Sequence, residues 1–201
     1  MAPNAERLVL FAAFLLYFAA AFLWPTFRVW RMTGRNPYVL PSTDDAYGVV
    51  TAGMRAVMAG ILGYIVVQLC WPELEPAFGP LAWLDRPAAS MAGWVGLGVA
   101  VAWTVVAQVQ MRMSWRIGID RQHRTALVTT GLFALSRNPI FLAMRLSLLS
   151  LVLLRPNAVT VALMLVGEVL MQLQVRLEEA FLRELHGAPY AAYCARVRRW
   201  L

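Results

Sequence analysis

The chain has 201 residues, of which 60% are hydrophobic and 14% charged, with a net charge of +7 and a mean hydropathy of +0.60. It is far too apolar for a soluble domain and too poor in charge for a disordered one, which leaves an integral membrane protein. The positive surplus would suggest nucleic acid in a soluble protein; in an apolar chain it is first a topology signal, and no nucleic-acid partner is expected.

Crossing a bilayer as a helix takes roughly 20 apolar residues. Runs of about that length occupy 7–24, 49–70 and 91–111. Two more, at 139–154 and 158–176, are divided only by Arg155, Pro156 and Asn157. Proline ends the incoming helix and asparagine tolerates a turn, so Arg-Pro-Asn reads as the bend of a helical hairpin. The expected fold is all-α and integral to the membrane, with about five transmembrane helices, the last two forming the hairpin, and a helical C-terminal segment in the cytoplasm. The first run could be a cleavable signal, but Glu6 cancels Arg7 at its charged end, and a retained span fits the parity argued next. We read 1–201 as a single membrane domain, with 1–107 holding the N-terminal spans and 108–201 the chemistry.

Every basic residue is arginine. Segments 25–47, 112–138 and 176–201 hold most of them, including Arg28, Arg31, Arg35, Arg112, Arg116, Arg121, Arg124, Arg137, Arg176 and Arg183. The opposite side holds Arg7, Arg86 and Arg155 together with Glu6, Glu73, Glu75 and Asp85. By the positive-inside rule the N-terminus is outside and the C-terminus cytoplasmic, in an inner or plasma membrane, the parity that five spans require. Cys70 and Cys194 then lie on opposite sides and cannot pair, and neither has the company of other metal ligands.

Polar, chemically varied residues concentrate at 108–138 and 178–200, both cytoplasmic on this reading. GWVGLG from Gly93 has the wrong spacing for a phosphate loop and lies within a span, where small residues more often permit close helix packing. No H-E-x-x-H, Ser/His/Asp set or cysteine cluster supports a metalloenzyme or hydrolase.

Three stretches stand out: QMRMSWRIGID from Gln110, LVTTGLFALSRNPIF from Leu127, and EEAFLRELHGAPYAAY from Glu178. In order and spacing they resemble the C-terminal signature of the isoprenylcysteine carboxyl methyltransferase and phospholipid methyltransferase superfamily: L-V-x-x-G-x-[YF], R-[HN]-P-x-[YF], a hairpin, E-E-x-x-[LF] and G-x-x-Y-x-x-Y. The resemblance covers about the last 90 residues. It implies S-adenosylmethionine bound in a pocket closed by the cytoplasmic C-terminal segment, and a lipophilic methyl acceptor arriving from the bilayer. The matching positions are Leu127, Val128, Gly131, Phe133, Arg137, Asn138, Pro139, Phe141, Glu178, Glu179, Leu182, Gly187, Tyr190 and Tyr193, and all of these but Leu182, Gly187 and Tyr193 are the expected cofactor-binding residues. Asn138 stands where histidine is commoner, and Phe141 where tyrosine is. Asparagine carries no proton and phenylalanine no hydroxyl, so any acid–base work done there in relatives is absent here.

Read for their own chemistry, the same residues are compatible. Arg137 can grip a carboxylate bidentately, or serve only as a positive-inside anchor. Pro139 cannot continue the segment before it, which leaves backbone groups near 128–138 for an adenine. Glu178 and Glu179 return to the same level through the hairpin and can meet an ammonium or a ribose, or form a solvated pair. Carboxylates at a helix C-terminus are disfavoured by the macrodipole, so the helix is expected to continue through Leu185. Trp200 reads as an interfacial belt residue, and His123 and His186 as loop residues.

Inside the membrane, Arg145 lies about ten residues before the Pro156 bend and Glu168 about twelve after it, so an antiparallel hairpin sets them at similar depth, near Arg55 of the second span. Ionisable residues there face a partner or a cavity. Either Arg145 and Glu168 clip the hairpin, or Arg145 or Arg55 receives the anionic end of the acceptor. Arg55, Arg145 and Trp115 are the candidate acceptor contacts; Arg145, Glu178 and Glu179 are the catalytic candidates. A carboxylate acceptor, as in an isoprenylcysteine, needs positioning but no base; an amine would need Glu178 or Glu179 to take its proton. Phospholipid amines, thiols and phenols remain alternatives. An NADPH-dependent sterol-type reductase and a non-catalytic scaffold are readings of other classes.

Overall fold

The computed structural model describes residues 3–34, 45–115 and 126–201, all of them helix, turn or coil apart from one isolated bridge. Asp120 and His123, and Arg35, Arg116, Arg121 and Arg124 of the arginine count, lie outside the described residues. Helices α1 (Pro3–Phe18) and α2 (Trp24–Thr33) are joined through a π turn, Ala19–Leu23, into one continuous rod. Then follow α3 (Ala46–Cys70), α4 (Pro87–Met111), α5 (Pro139–Leu154), α6 (Ala158–His186) and α7 (Ala188–Arg196). The result is an all-α membrane fold.

The first helix outruns the apolar stretch that ends near Trp24, and Pro25 explains how. Proline lacks the N–H that would bond the Ala21 carbonyl one turn back, and its ring crowds that carbonyl. The backbone widens to a π turn at that point, and Gln108 of α4 donates its Nε2 to the Ala21 oxygen at 2.6 Å. A polar group orphaned in an apolar span is thus satisfied from the neighbouring helix. Replacing Gln108 by leucine should cost about 1–3 kcal/mol, the penalty of an unpaired buried carbonyl, read as a lower thermal midpoint in detergent.

The rod (Asn4–Thr33), α3, α4 and α6 are long and apolar enough to cross a membrane; α5 is apolar but only 16 residues long. At 1.5 Å per residue it extends about 24 Å, less than a hydrocarbon core of about 30 Å. A five-span count therefore depends on α5 crossing as a short helix beside longer neighbours.

One end of the bundle gathers the N-terminus, the loop after α3 and the hairpin bend. Arg7 pairs with Glu75 at 2.6 Å and Arg155 with Glu6 at 3.6 Å. The loop bridges to the bend through Pro80 and Asn157, with Leu81 N–H donating to the Pro156 carbonyl and Ala158 N–H to that of Gly79. Asn157 closes a capping box on α6 and donates Nδ2 to the Tyr64 hydroxyl at 2.7 Å. Segments assigned to one side by their charges thus meet at one end. If that end faces outward, an impermeant thiol reagent applied to intact cells should reach exposed Cys70 before half-buried Cys194; the reverse order would invert the topology.

Small residues set the packing. A Cβ on Gly93 would meet Leu154 Cγ at 2.8 Å and one on Gly96 would meet Ser150 Oγ at 2.5 Å, so α4 and α5 approach closely there. The G-rich string in α4 is a helix-packing surface, as small-residue interfaces in membranes generally are.

Candidate functional site

At the other end of the bundle three segments converge: the coil and 3-10 turn leading into α5, the last turns of α6, and α7 with the tail after it. The turn at Gly131–Ala134 exists because Gly131 takes φ +64° and because any Cβ there would overlap the Gln110 amide. That amide accepts the Leu132 N–H at 2.8 Å through its Oε1. Gly131→Ala meets both a left-handed backbone and a clash, and should destabilise by about 1–3 kcal/mol, measurable as a drop in thermal midpoint that Gly187→Ala, which has space but also φ +56°, shows to a smaller degree.

Helix α6 runs on to His186, so Glu178 and Glu179 sit inside a helix rather than at its end, as the macrodipole required. Glu179 is 3% exposed and is the hub of the site. Arg137 donates to it from Nε at 3.3 Å and from Nη2 at 3.2 Å. Arg199 donates from Nε at 3.1 Å and Nη2 at 2.8 Å, and Asn138 from Nδ2 at 3.1 Å. A carboxylate so surrounded is held as an anion, and its lone pairs are taken.

Arg137 does more than pair with Glu179. Its Nη1 donates to the Cys194 and Val197 carbonyls, each at 3.2 Å, and its backbone N–H to the Arg198 carbonyl at 3.0 Å. Ser136 Oγ and Asn138 Nδ2 donate to the Arg199 carbonyl. The tail after α7 is thus laced along residues 136–138. Asn138 supplies hydrogen bonds without a titrating proton. Pro139, which starts α5, is buried.

Tyr190 and Tyr193 are buried at 1% and 3% exposure, in the core of this end of the bundle. Tyr193 donates to the Phe133 carbonyl at 2.6 Å, and burial pushes its phenol up to about 12. Burial, and then the charge of Glu179, push the Tyr190 phenol up as well. Both keep their protons at any physiological pH. Tyr190 Oη and Gln174 Oε1 are buried polar atoms without a hydrogen-bond partner among the described residues. Gln174 is bound only through its Nε2, to Glu178 at 2.9 Å.

The remaining expected residues are spread more widely. Leu127, Val128 and Phe141 are half-buried and Phe133 is buried, all on the segments flanking the hub. Arg145 pairs with Glu168, Nε to Oε2 at 2.7 Å, and its guanidinium lies 4.5 Å from the ring centre of Trp200. Trp200 is therefore a half-buried lid on Arg145. Arg55 is exposed on α3. Trp115 is buried at the far side of α4, lining a small cavity with Trp24, Arg28 and Arg112; it is not among the residues that contact the hub. Arg199, Gln174 and the tail were missed by sequence reasoning. Arg199 and Trp200 carried only the signal of a C-terminal arginine and tryptophan.

Residues 91–189 match the family model for phospholipid methyltransferase, a family of the isoprenylcysteine/phospholipid methyltransferase superfamily. The match indicates membrane methyltransferase activity. The match runs from α4 to the start of α7, leaving Tyr190, Tyr193 and Arg199 beyond it. No curated protein matches the chain.

Proposed function

We propose that the protein transfers a methyl group from S-adenosylmethionine to an ionised carboxylate on a lipophilic acceptor of the isoprenylcysteine type, at the cytoplasmic end of the bundle. The observation that carries this reading is Glu179 held between Arg137 and Arg199, with the buried Tyr190 hydroxyl near its charge and Gln174 bound to the neighbouring Glu178.

The donor set fits the cofactor. A buried amide oxygen and Glu178 suit its ammonium, the buried tyrosine hydroxyl suits a ribose or carboxylate oxygen, and the two arginines supply the positive field its carboxylate needs. Leu127, Val128, Phe133 and Phe141 supply apolar surface for an adenine. When bound, S-adenosylmethionine supplies a methyl carbon on a sulfonium; an ionised carboxylate takes it while the bonding pair returns to sulfur, so an ester forms and no proton is released.

The chain's own work is then to hold and to exclude. Asn138, Arg137 and the tail fix Glu179, and the laced tail covers the site from water, which favours a reaction in which opposite charges disappear. An amine acceptor would need a base. Glu179 is a poor one, because two guanidinium groups stabilise its anion. For a phospholipid amine that leaves half-buried Glu178, bound to Gln174, as the base, whereas a carboxylate acceptor needs none.

The test is radiolabelled methyl transfer by the purified protein to a prenylated cysteine and to phosphatidylethanolamine, side by side across pH. The carboxylate reading expects product with the first, base-labile as an ester is, and a rate that is flat above the range where the acceptor ionises. Product with the amine alone would overturn it in favour of phospholipid methylation.

A further inference from the structure

Away from the hub, the rod and the end of α4 enclose a small cavity whose walls include Trp24, Arg28, Val29, Gln108, Arg112 and Trp115. It holds about 10 Å³, room for about one water-sized group. Trp24 and Val109, also on its walls, are 59% and 46% exposed, so it opens onto the lipid-facing surface and not into the bundle.

The charge around it is one-sided. No acidic residue occurs between Glu6 and Asp44 or between Asp85 and Asp120, so the last turns of the rod and the end of α4 present Arg28, Arg31 and Arg112 alone. None of the three has an ion pair or a side-chain hydrogen bond among the described residues. Arg112, at the C-terminal end of α4, complements that helix's macrodipole. Arg28 has no such reason. It lies midway along α2 and is half-buried, and a guanidinium held partly out of water is costly without a counter-charge. Its depth says where that charge comes from. Arg28 stands five residues before the end of the rod at Thr33, about 7.5 Å, and the headgroup layer is about 5–7 Å deep on each face. Trp24 and Trp30, both exposed on the same stretch, are of the residue type that settles at that level.

We propose that this groove binds the headgroup of an anionic phospholipid from the surrounding bilayer. One phosphate oxygen enters the cavity between Arg28 and Arg112, and the acyl chains lie along the exposed apolar faces of the rod and α4. Arginine suits the role because its planar fork meets two phosphate oxygens at once, and basic pockets between transmembrane helices recur as headgroup sites. The lipid bridges the rod to α4 where Gln108 already ties down the Ala21 carbonyl. The rod lies outside the family match, and the proposal does not depend on methyl transfer. A free phosphate ion would satisfy the arginines, but it would make no use of the apolar, exposed rim at Trp24 and Val109.

The test titrates the purified full-length protein in detergent with dioleoyl phosphatidylglycerol and, separately, with dioleoyl phosphatidylcholine. Bound lipid is counted by native mass spectrometry and the thermal midpoint is followed. Phosphatidylglycerol should bind saturably, at least about tenfold more tightly than phosphatidylcholine, and raise the midpoint as its concentration rises. Arg28→Gln and Arg112→Gln should each weaken it about fivefold, and the double variant about twenty-fivefold. Arg86→Gln removes the same charge at the other end of α4 and should change the affinity by less than about twofold. Arg112 is exposed, so Arg112→Gln decides the case even where Arg28→Gln fails to fold. Equal affinity for the two lipids, wild-type affinity in folded Arg112→Gln, or an equal loss in Arg86→Gln would overturn the proposal, the last by reducing it to net charge. So would full displacement of phosphatidylglycerol by millimolar inorganic phosphate, which would make the groove a site for a free anion.

Discussion

Arg137→Ala lowers affinity for S-adenosylmethionine by about 2–5 kcal/mol, the range for truncating one partner of a buried charge pair, or at least roughly thirtyfold. The sequence suggests a direct grip on a cofactor carboxylate. The structure points to a different route, because the side-chain N–H groups of Arg137 are spent on Glu179 and on the Cys194 and Val197 carbonyls, so that it acts by holding the hub and the tail. Removing the side chain leaves Glu179 buried with one guanidinium and unties the Cys194 and Val197 carbonyls, while backbone, Ser136 and Asn138 bonds still hold Arg198 and Arg199. Arg199→Ala removes the other cation but leaves the tail laced through Arg137, and so should cost less. Isothermal titration of both variants, with limited proteolysis of the tail, separates the two routes. Wild-type affinity in folded Arg137→Ala protein would remove Arg137 from the site altogether.

A double-mutant cycle at Arg145 and Glu168 should give a large coupling energy. Their side chains are each one-third exposed and 2.7 Å apart within the helical hairpin, and Glu168 also accepts from Gln172 Nε2 at 2.8 Å. Either single alanine leaves one charge unpaired at membrane depth, a cost of about 3 kcal/mol, and the double variant should recover much of it. Additive losses would mean that the pair contributes nothing as a pair. Kinetics then test the second role: if Arg145 also receives the acceptor, Arg145→Ala raises the acceptor KM or lowers kcat with little change in cofactor affinity, and the double variant stays impaired. Wild-type kinetics in folded Arg145→Ala would exclude that role.

What was legible in the sequence was local or followed from membrane geometry. The hairpin could be read from Pro156 and Asn157, because proline stops a helix and asparagine caps the next. The depth of Arg145 and Glu168 followed from counting residues out from that bend, since in a membrane a helix converts residue number into height. The continuation of α6 followed from the macrodipole's dislike of two carboxylates at its end. The shared end of the N-terminus, the 71–86 loop and the bend followed from charge.

What was not legible depended on contacts between distant segments of coil. The tail from Val197 to Trp200 has no periodicity, and its place beside residues 136–138 is set by backbone carbonyls that every sequence possesses. Arg199 therefore looked like one more positive-inside arginine, and Trp200 like a belt residue. Gln174 gave no sign because an amide in an apolar helix is as often a packing contact as a ligand. The apolar run ends near Trp24, and that the helix continues past Pro25 could not be read there, because the Ala21 carbonyl that proline leaves unpaired is met by Gln108, 83 positions further on. Trp115 lay in a matching motif, yet its side chain turns to the other side of α4.

The most direct measurement is equilibrium binding of labelled S-adenosylmethionine and of NADPH to the purified full-length protein. The account predicts saturable binding of S-adenosylmethionine that Arg137→Ala weakens at least roughly thirtyfold, and none of NADPH. Saturable NADPH binding, with no affinity for S-adenosylmethionine in folded protein, would contradict it.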